Sequence, residues 1–267
     1  MDILHPPFRS PDRHGLSALD EGVLAATYET GDPLSWEALS ESATLVMTPD
    51  GSPIRTIVTG LRPITTGIYA SRKAGRPLPY ESMVERAFFM HSEVDTTIVD
   101  YRAQPFRFEF NIDGRKRTYI VDCLRLRADQ TIEIVEIKSD RRALRDPDYA
   151  MKLEAVRVTC ERVGWAFRVV FASTLTEPKR FYKNVVEVQS WRFTAFGQAD
   201  EYIVTQALRR QPGMTLGDLG DALGARLPGI AKLKAMMVKR IVKIDLSHPL
   251  NLETPVELVC DQLEPMQ

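Results

Sequence analysis

What this 267-residue chain has little of narrows its chemistry before any motif is read. Its three cysteines, Cys123, Cys160 and Cys260, are odd in number and far apart, with no C-x-x-C pair. That argues against a zinc ribbon or a disulfide framework and fits a reducing, cytoplasmic setting. Its four histidines, His5, His14, His91 and His248, are scattered and form no H-E-x-x-H, so no paired-imidazole centre is indicated. Neither sign of charge dominates: 35 Lys and Arg face 36 Asp and Glu, a formal net charge of −1. Without a global basic field, contact with nucleic acid has to rest on local patches. No run reaches the roughly 18 apolar residues of a membrane span. The N-terminus, MDILHPPFRSPDRHG, lacks the apolar core of a signal peptide.

What is present is ordinary globular material. At 44% hydrophobic and 27% charged the chain can bury a real core, and its length suits one large domain or two small ones.

The stretch that organises the rest is residues 119–138, YIVDCLRLRADQTIEIVEIK. Two Val/Ile/Leu-rich runs flank a polar turn at residues 127–130, which predicts a β-hairpin. Asp122 falls within the first strand, and Glu136 and Lys138 end the second. Side chains two apart on a strand share a face, so Glu136 and Lys138 point one way and Ile137 points into a core. An Asp beside an E-x-K pair can place two carboxylates and an ammonium within a few ångströms of each other. Hard oxygen ligands of that kind suit Mg²⁺ with positions left for water and phosphate. The competing reading is structural: Glu133, Glu136 and Lys138 also fit a cross-strand salt-bridge ladder.

Along the chain, residues 1–70 form an N-terminal extension. Within it residues 1–20 read as a flexible arm, residues 35–42 as a short helix, and residues 44–47 and 54–58 as strands of a small β-rich lobe around a turn at residues 49–52. Residues 71–79, SRKAGRPLP, read as a basic loop leading into the helix YESMVERAFFMHSEV, where Glu81 and Glu85 are four apart and share a face. Phe106, Phe108 and Phe110 alternate with charged residues, and Asp113–Gly114 signals a hairpin. A three-stranded antiparallel meander is therefore expected from about residue 105 to residue 138. After the basic run SDRRALRD, Asp146 can cap a helix, Pro147 suits its first turn and Gly164 ends it. Its stripe of Tyr149, Leu153, Val156, Cys160 and Val163 reads as core packing. A strand at residues 166–172 follows, completing a mixed α/β sheet with helices against it. Residues 176–197 read as a linker. Residues 198–267 run helix, helix, helix, strand, turn, strand, the order of a winged helix. Lys232, Lys234, Lys239, Arg240 and Lys243 cluster on its third helix and exit, fitting equally a solvated face and a nucleic-acid or partner surface.

The ordered set ESMVER, V-x-x-Y-x-x-Q-P-F, Y-x-x-D and V-E-I-K resembles the TnsA-like endonucleases of cut-and-paste transposons, within the PD-(D/E)xK, restriction-endonuclease-like superfamily. The resemblance covers roughly residues 75–260. It implies a restriction-endonuclease-like mixed sheet over residues 71–175 and a Mg²⁺- or Mn²⁺-dependent cut of one DNA strand at transposon ends. It also implies double-stranded DNA as substrate, with a transposase subunit and an ATPase regulator as partners. Carried over by position, Asp122 is the metal-binding aspartate, Glu136 and Lys138 are the (D/E)xK pair, and Glu85 is the helical glutamate of the metal site. A carbonyl near Ile137 is a further ligand, and Arg141, Arg142 and Arg145 are candidates for the DNA backbone. Cys123 stands where the family more often has an aromatic, and Ile120–Val121 where Thr-Pro is usual; neither change removes a ligand. Two other readings remain open: a stand-alone nuclease in phage defence or DNA processing, and a non-catalytic DNA-binding or assembly module on the same fold.

Overall fold

The structure is a computed structural model that describes residues 43–48, 52–55, 65–112 and 114–259. The expected arm at residues 1–20, the short helix at 35–42, residues 49–51 of the first turn, most of the expected strand at 54–58, Asp113 and Cys260 lie outside the described residues.

Strand β1 (Ala43–Met47) precedes a hairpin of β2 (Gly67–Ala70) and β3 (Pro77–Tyr80), then helix α1 (Met83–Val94). Strands β4 (Ile98–Ala103), β5 (Phe106–Ile112), β6 (Arg115–Ile120), β7 (Cys123–Arg127) and β8 (Ile132–Lys138) follow. A 3₁₀ turn (Arg141–Arg145), α2 (Pro147–Arg162) and β9 (Ala166–Phe171) complete the central unit. Then come α3 (Ala172–Thr176), α4 (Lys179–Ser190), α5 (Gln198–Arg210), α6 (Leu216–Ala222), α7 (Arg226–Val238), β10 (Val242–Ile244) and β11 (Val256–Leu258). No helix among the described residues is long and apolar enough to cross a membrane.

The central sheet has the order β4-β7-β8-β9, antiparallel except for the parallel β8–β9 pair that α2 connects. This mixed α/β arrangement is the restriction-endonuclease-like core expected. The predicted capping of α2 is observed: Asp146 accepts from the amide of Asp148, Pro147 opens the helix, and Gly164 takes φ 73° just beyond its end. Leu153, Val156 and Cys160 are buried as expected.

The meander differs from expectation. Four strands, not three, fill residues 106–138, and they belong to two sheets: β5 and β6 form a sheet in the order β1-β5-β6, whereas β7 pairs with β4 and β8 with β9. Asp122 is therefore not inside a strand. It sits at the break where the chain leaves β5 and turns to β4, with the Val121 amide donating to the Phe106 carbonyl and the Gln104 amide to the Asp122 carbonyl. The reason is burial. On β5 burial alternates, but on β7 Cys123, Leu124, Arg125 and Leu126 are all buried, because both faces of the central sheet are covered. One face packs on α1 through Tyr101, Cys123, Val135 and Ile137. The other packs Leu124, Leu126, Ile132 and Ile134 on α2 and on the phenylalanine face of β5.

Other boundaries also move. Residues 77–80 are a strand rather than loop, and α1 starts at Met83 with Ser82 as its cap, so Glu81 lies before the helix. The expected linker at 176–197 contains α4, whose Asn184, Val185, Val188 and Gln189 are buried. Val185 and Val188 share one apolar cluster with Phe88 and Phe89 of α1 and with Leu233, Met236 and Met237 of α7. The C-terminal elements occur in the order expected, but they are welded to α1 rather than tethered beside it. The basic residues of the third helix are spent on that weld and on its neighbours. Lys232 donates to Asp200 at 2.7 Å, Lys234 to Glu187 at 2.7 Å, and the Arg240 Nε to the Thr96 carbonyl at 2.9 Å. Lys243 pairs with Glu257 at 3.6 Å, and Lys239 is exposed. The second half of α7 is buried, so it is not a free face for a DNA groove.

Candidate active site

Glu136 and Lys138 end β8, on the face that carries Ile132 and Ile134; Ile137 points into the α1 side of the core. Glu133 has the opposite parity and lies on the other face, where it pairs with Arg125 across the strands, in a buried bridge, and with Arg168 at 3.9 Å. The salt-bridge ladder proposed from sequence is thus split: Glu133 belongs to a structural pair, and Glu136 and Lys138 do not share it. Asp122 comes to the same strand end from the break between the sheets. Its Oδ2 accepts the Ile137 amide at 2.8 Å, while Oδ1 has no hydrogen-bond partner among the described residues.

Glu136 is 1% exposed, and each of its carboxylate oxygens has a partner within the protein. One oxygen accepts the Tyr119 hydroxyl, and the other accepts the Tyr149 hydroxyl and pairs with the Lys138 ammonium. The Lys138 Nζ also lies 5.0 Å from the centre of the Tyr149 ring. Burial first, and the Glu136 charge second, push both tyrosine hydroxyls above their ordinary range, so they stay protonated and donate. Burial alone would lower the Lys138 ammonium, but Glu136 and Asp122 outweigh it and hold Lys138 above its usual value. Asp122 is raised well above the usual carboxylate range, by burial and then by the charge of Glu136, with Glu85 adding to it. The sequence reading missed both tyrosines. In the sequence Tyr119 stands in the Y-x-x-D motif without a role of its own, and Tyr149 reads as the first residue of an apolar stripe. The visible signal was a hydroxyl-bearing ring placed beside Asp148 at a helix start.

Glu85 is in the first turn of α1. It closes a local cap: its amide donates to the Ser82 hydroxyl, which donates back to its Oε1 at 3.0 Å, and its Oε2 accepts the Glu81 amide at 2.8 Å. Burial raises its carboxyl above the usual range, and Lys138 is near enough to oppose that shift. Glu81 instead faces Arg55 and Gln104, each at 3.3 Å. The structure therefore brings Asp122, Glu136 and Lys138 together and leaves Glu85 at the margin, held by its own helix cap. Arg141, Arg142 and Arg145 follow directly in the exposed 3₁₀ turn, capped by Asp140; Arg141 stacks over Phe171 at 5.3 Å.

Among the described residues no group of three or more His, Cys, Asp or Glu side chains is placed to hold a metal ion. The donors that remain are two carboxylates, one with an unbonded oxygen, and the neighbouring Ile137 carbonyl. Carboxylate and carbonyl oxygens with no nitrogen or sulfur are the donor set of a hard divalent cation that keeps several waters. Among the described residues, Lys138 is the positive charge set against both Asp122 and Glu136. Chemically the residues fit a Mg²⁺-class ion: a carboxylate has about four acceptor sites, and Glu136 Oε2 takes only the Tyr119 hydroxyl.

Residues 95–171 match the family model described as TnsA-like endonuclease N terminal. The matched span contains β4 to β9 with Asp122, Glu136 and Lys138, and excludes Glu85 and the C-terminal helices. No curated protein matches the chain.

Proposed function

We propose that this chain, whose residues 95–171 match the model described as TnsA-like endonuclease N terminal, is a divalent-cation-dependent DNA endonuclease that hydrolyses one strand at the ends of a mobile element. The observation that carries the reading is the meeting of Asp122, Glu136 and Lys138 at one strand end inside the matched segment. In this reading Asp122 and Glu136, with the Ile137 carbonyl, hold Mg²⁺ or Mn²⁺. The bound ion supplies an acidified water and neutralises charge on the scissile phosphate. Lys138, held as an ammonium beside Glu136, steadies charge developing on that phosphate rather than accepting a proton. Glu85 supports the site from the start of α1. Arg141, Arg142 and Arg145, exposed beyond the end of β8, hold the DNA backbone without reading its sequence. A transposase subunit for the second strand and an ATPase regulator complete the proposed machinery.

One observation favours the opposing reading, a non-catalytic module on the same fold: every oxygen of Glu136 is already bonded within the protein. The two are separated by incubating purified protein with DNA and Mg²⁺ or Mn²⁺, with Ca²⁺, and with excess chelator. The catalytic reading expects nicking in the first, binding with little nicking in the second, and none in the third.

A further inference from the structure

We propose that Tyr119 and Tyr149 are positioning residues that hold the Glu136 carboxylate ready for a cation by sharing its hydrogen-bond demand with Lys138; this rests on reading Asp122 and Glu136 as cation ligands. A carboxylate that is 1% exposed must have its oxygens satisfied from within. Here the satisfaction is divided. Tyr119, on β6, takes one oxygen, and Tyr149, in the first turn of α2, shares the other with Lys138. The donors come from two elements outside β8, so the plane of the carboxylate is fixed from two directions. Without the hydroxyls Glu136 keeps a single donor, Lys138. The ion pair then becomes its whole environment, and an incoming cation has to compete with the ammonium for a carboxylate that nothing else orients.

The anchoring of α2 to β6 does not depend on these hydroxyls. Arg117, two residues before Tyr119, pairs with Asp148, the neighbour of Tyr149, and Asp148 also pairs with Lys152 at 3.1 Å. Tyr→Phe at either position keeps the ring volume, and at 149 it keeps the ring beneath Lys138. The substitutions therefore remove one hydroxyl each and little else.

The test is Ca²⁺ affinity measured by titration calorimetry on the full chain, a readout that a purely structural role would not move. Partners that orient a metal-binding carboxylate are typically worth about 10- to 100-fold in affinity. Tyr119→Phe and Tyr149→Phe are each expected to weaken Ca²⁺ binding by about that factor, with Asp122→Ala abolishing it. If Asp122→Ala abolishes binding while both Phe variants bind like wild type, the positioning role is wrong and the cation site stands. If Asp122→Ala binds like wild type, the cation site itself is misplaced and the positioning role falls with it. Should Tyr119→Phe fail to fold, Tyr149→Phe, at a half-buried position, decides the question alone.

Discussion

Removing the Glu93 carboxylate should be among the most destabilising single changes in the described core. Glu93 is 0% exposed in the last turn of α1, and its carboxylate accepts four donors. These are the Ser71 hydroxyl at 2.6 Å, the Tyr101 hydroxyl at 2.6 Å, the Arg72 amide at 2.8 Å and the Lys73 amide at 3.2 Å. The contact ties α1 to β4 and to the loop after β2, and the Arg72 guanidinium carries the tie on to the carbonyls of Arg192 and Thr194. Glu93→Ala leaves the Ser71 hydroxyl without its acceptor in a dry site and the Tyr101 hydroxyl with only the longer contact to the Phe89 carbonyl at 3.3 Å. The two amides lie on a half-exposed loop, where water can replace part of the loss. At about 1–3 kcal/mol for each buried group left unsatisfied, one full loss and three partial ones come to about 3–5 kcal/mol, the range seen when one partner of a buried charged pair is removed. For a chain of this size that is a fall in Tm of roughly 6–20 °C. Glu93→Gln, which keeps one accepting oxygen, should lose about half as much. Urea and thermal unfolding followed by circular dichroism measure both. Cleavage should survive where Glu93→Ala is still folded, because Glu93 touches none of Asp122, Glu136 and Lys138. A loss below about 1 kcal/mol for Glu93→Ala would show that the four-donor cradle does not hold α1 in place.

Other consequences follow from particular side chains. His91 donates its Nε2–H to the Leu175 carbonyl at 2.7 Å and stacks on Phe181 and Tyr182; burial lowers its pKa below the ordinary histidine value. Its contribution to stability is present above the unfolded value of about 6.5 and is lost as pH falls through the lower folded one, so wild type should lose more stability than His91→Phe between pH 7 and pH 5 in matched unfolding curves. Lys138→Ala should cost about 10²- to 10⁴-fold in cleavage rate, the range for a positioned charge or acid–base group; a rate within threefold of wild type would remove Lys138 from the site. Glu85→Ala should impair cleavage severely and Glu81→Ala little, and the reverse order would move that contribution from the helix to the residue before its cap. Arg142→Ala and Arg145→Ala should each lower the slope of log K against log salt for duplex DNA by about 1, whereas unchanged slopes would move the DNA to another face. A chain ending at residue 172 should unfold rather than merely lose targeting, because α4 and α7 cover the apolar face of α1; a well-folded fragment by circular dichroism would contradict the shared core.

The parts legible in the sequence were those where one local rule acts alone. Asp146, Pro147 and Gly164 bracket α2, and the i, i+4, i+7 stripe fixes its buried side. The parity of Glu136, Ile137 and Lys138 fixes which side chains share a face. What was not legible depends on partners distant in sequence. Nothing local to residues 119–124 shows that β6 and β7 join different sheets, because the break at Asp122 is set by whether β5 or β4 lies alongside. The burial of the basic third helix follows from α1 and α4 covering it, while the same lysines and arginine in isolation read as a solvated or DNA-facing surface. Tyr119 and Tyr149 are 30 positions apart, and only the fold brings both hydroxyls to one carboxylate.

The central claim is that the carboxylates meeting at the end of β8 cut DNA with a hard divalent cation. It is tested most directly by comparing wild type, Asp122→Ala and Glu136→Ala in supercoiled-plasmid nicking over a Mg²⁺ and Mn²⁺ titration, with circular dichroism to show that all three fold. Nicking by wild type alone, rising with the cation and abolished by chelator, is the predicted result. Equal nicking by all three proteins, or full nicking in excess chelator, would contradict it.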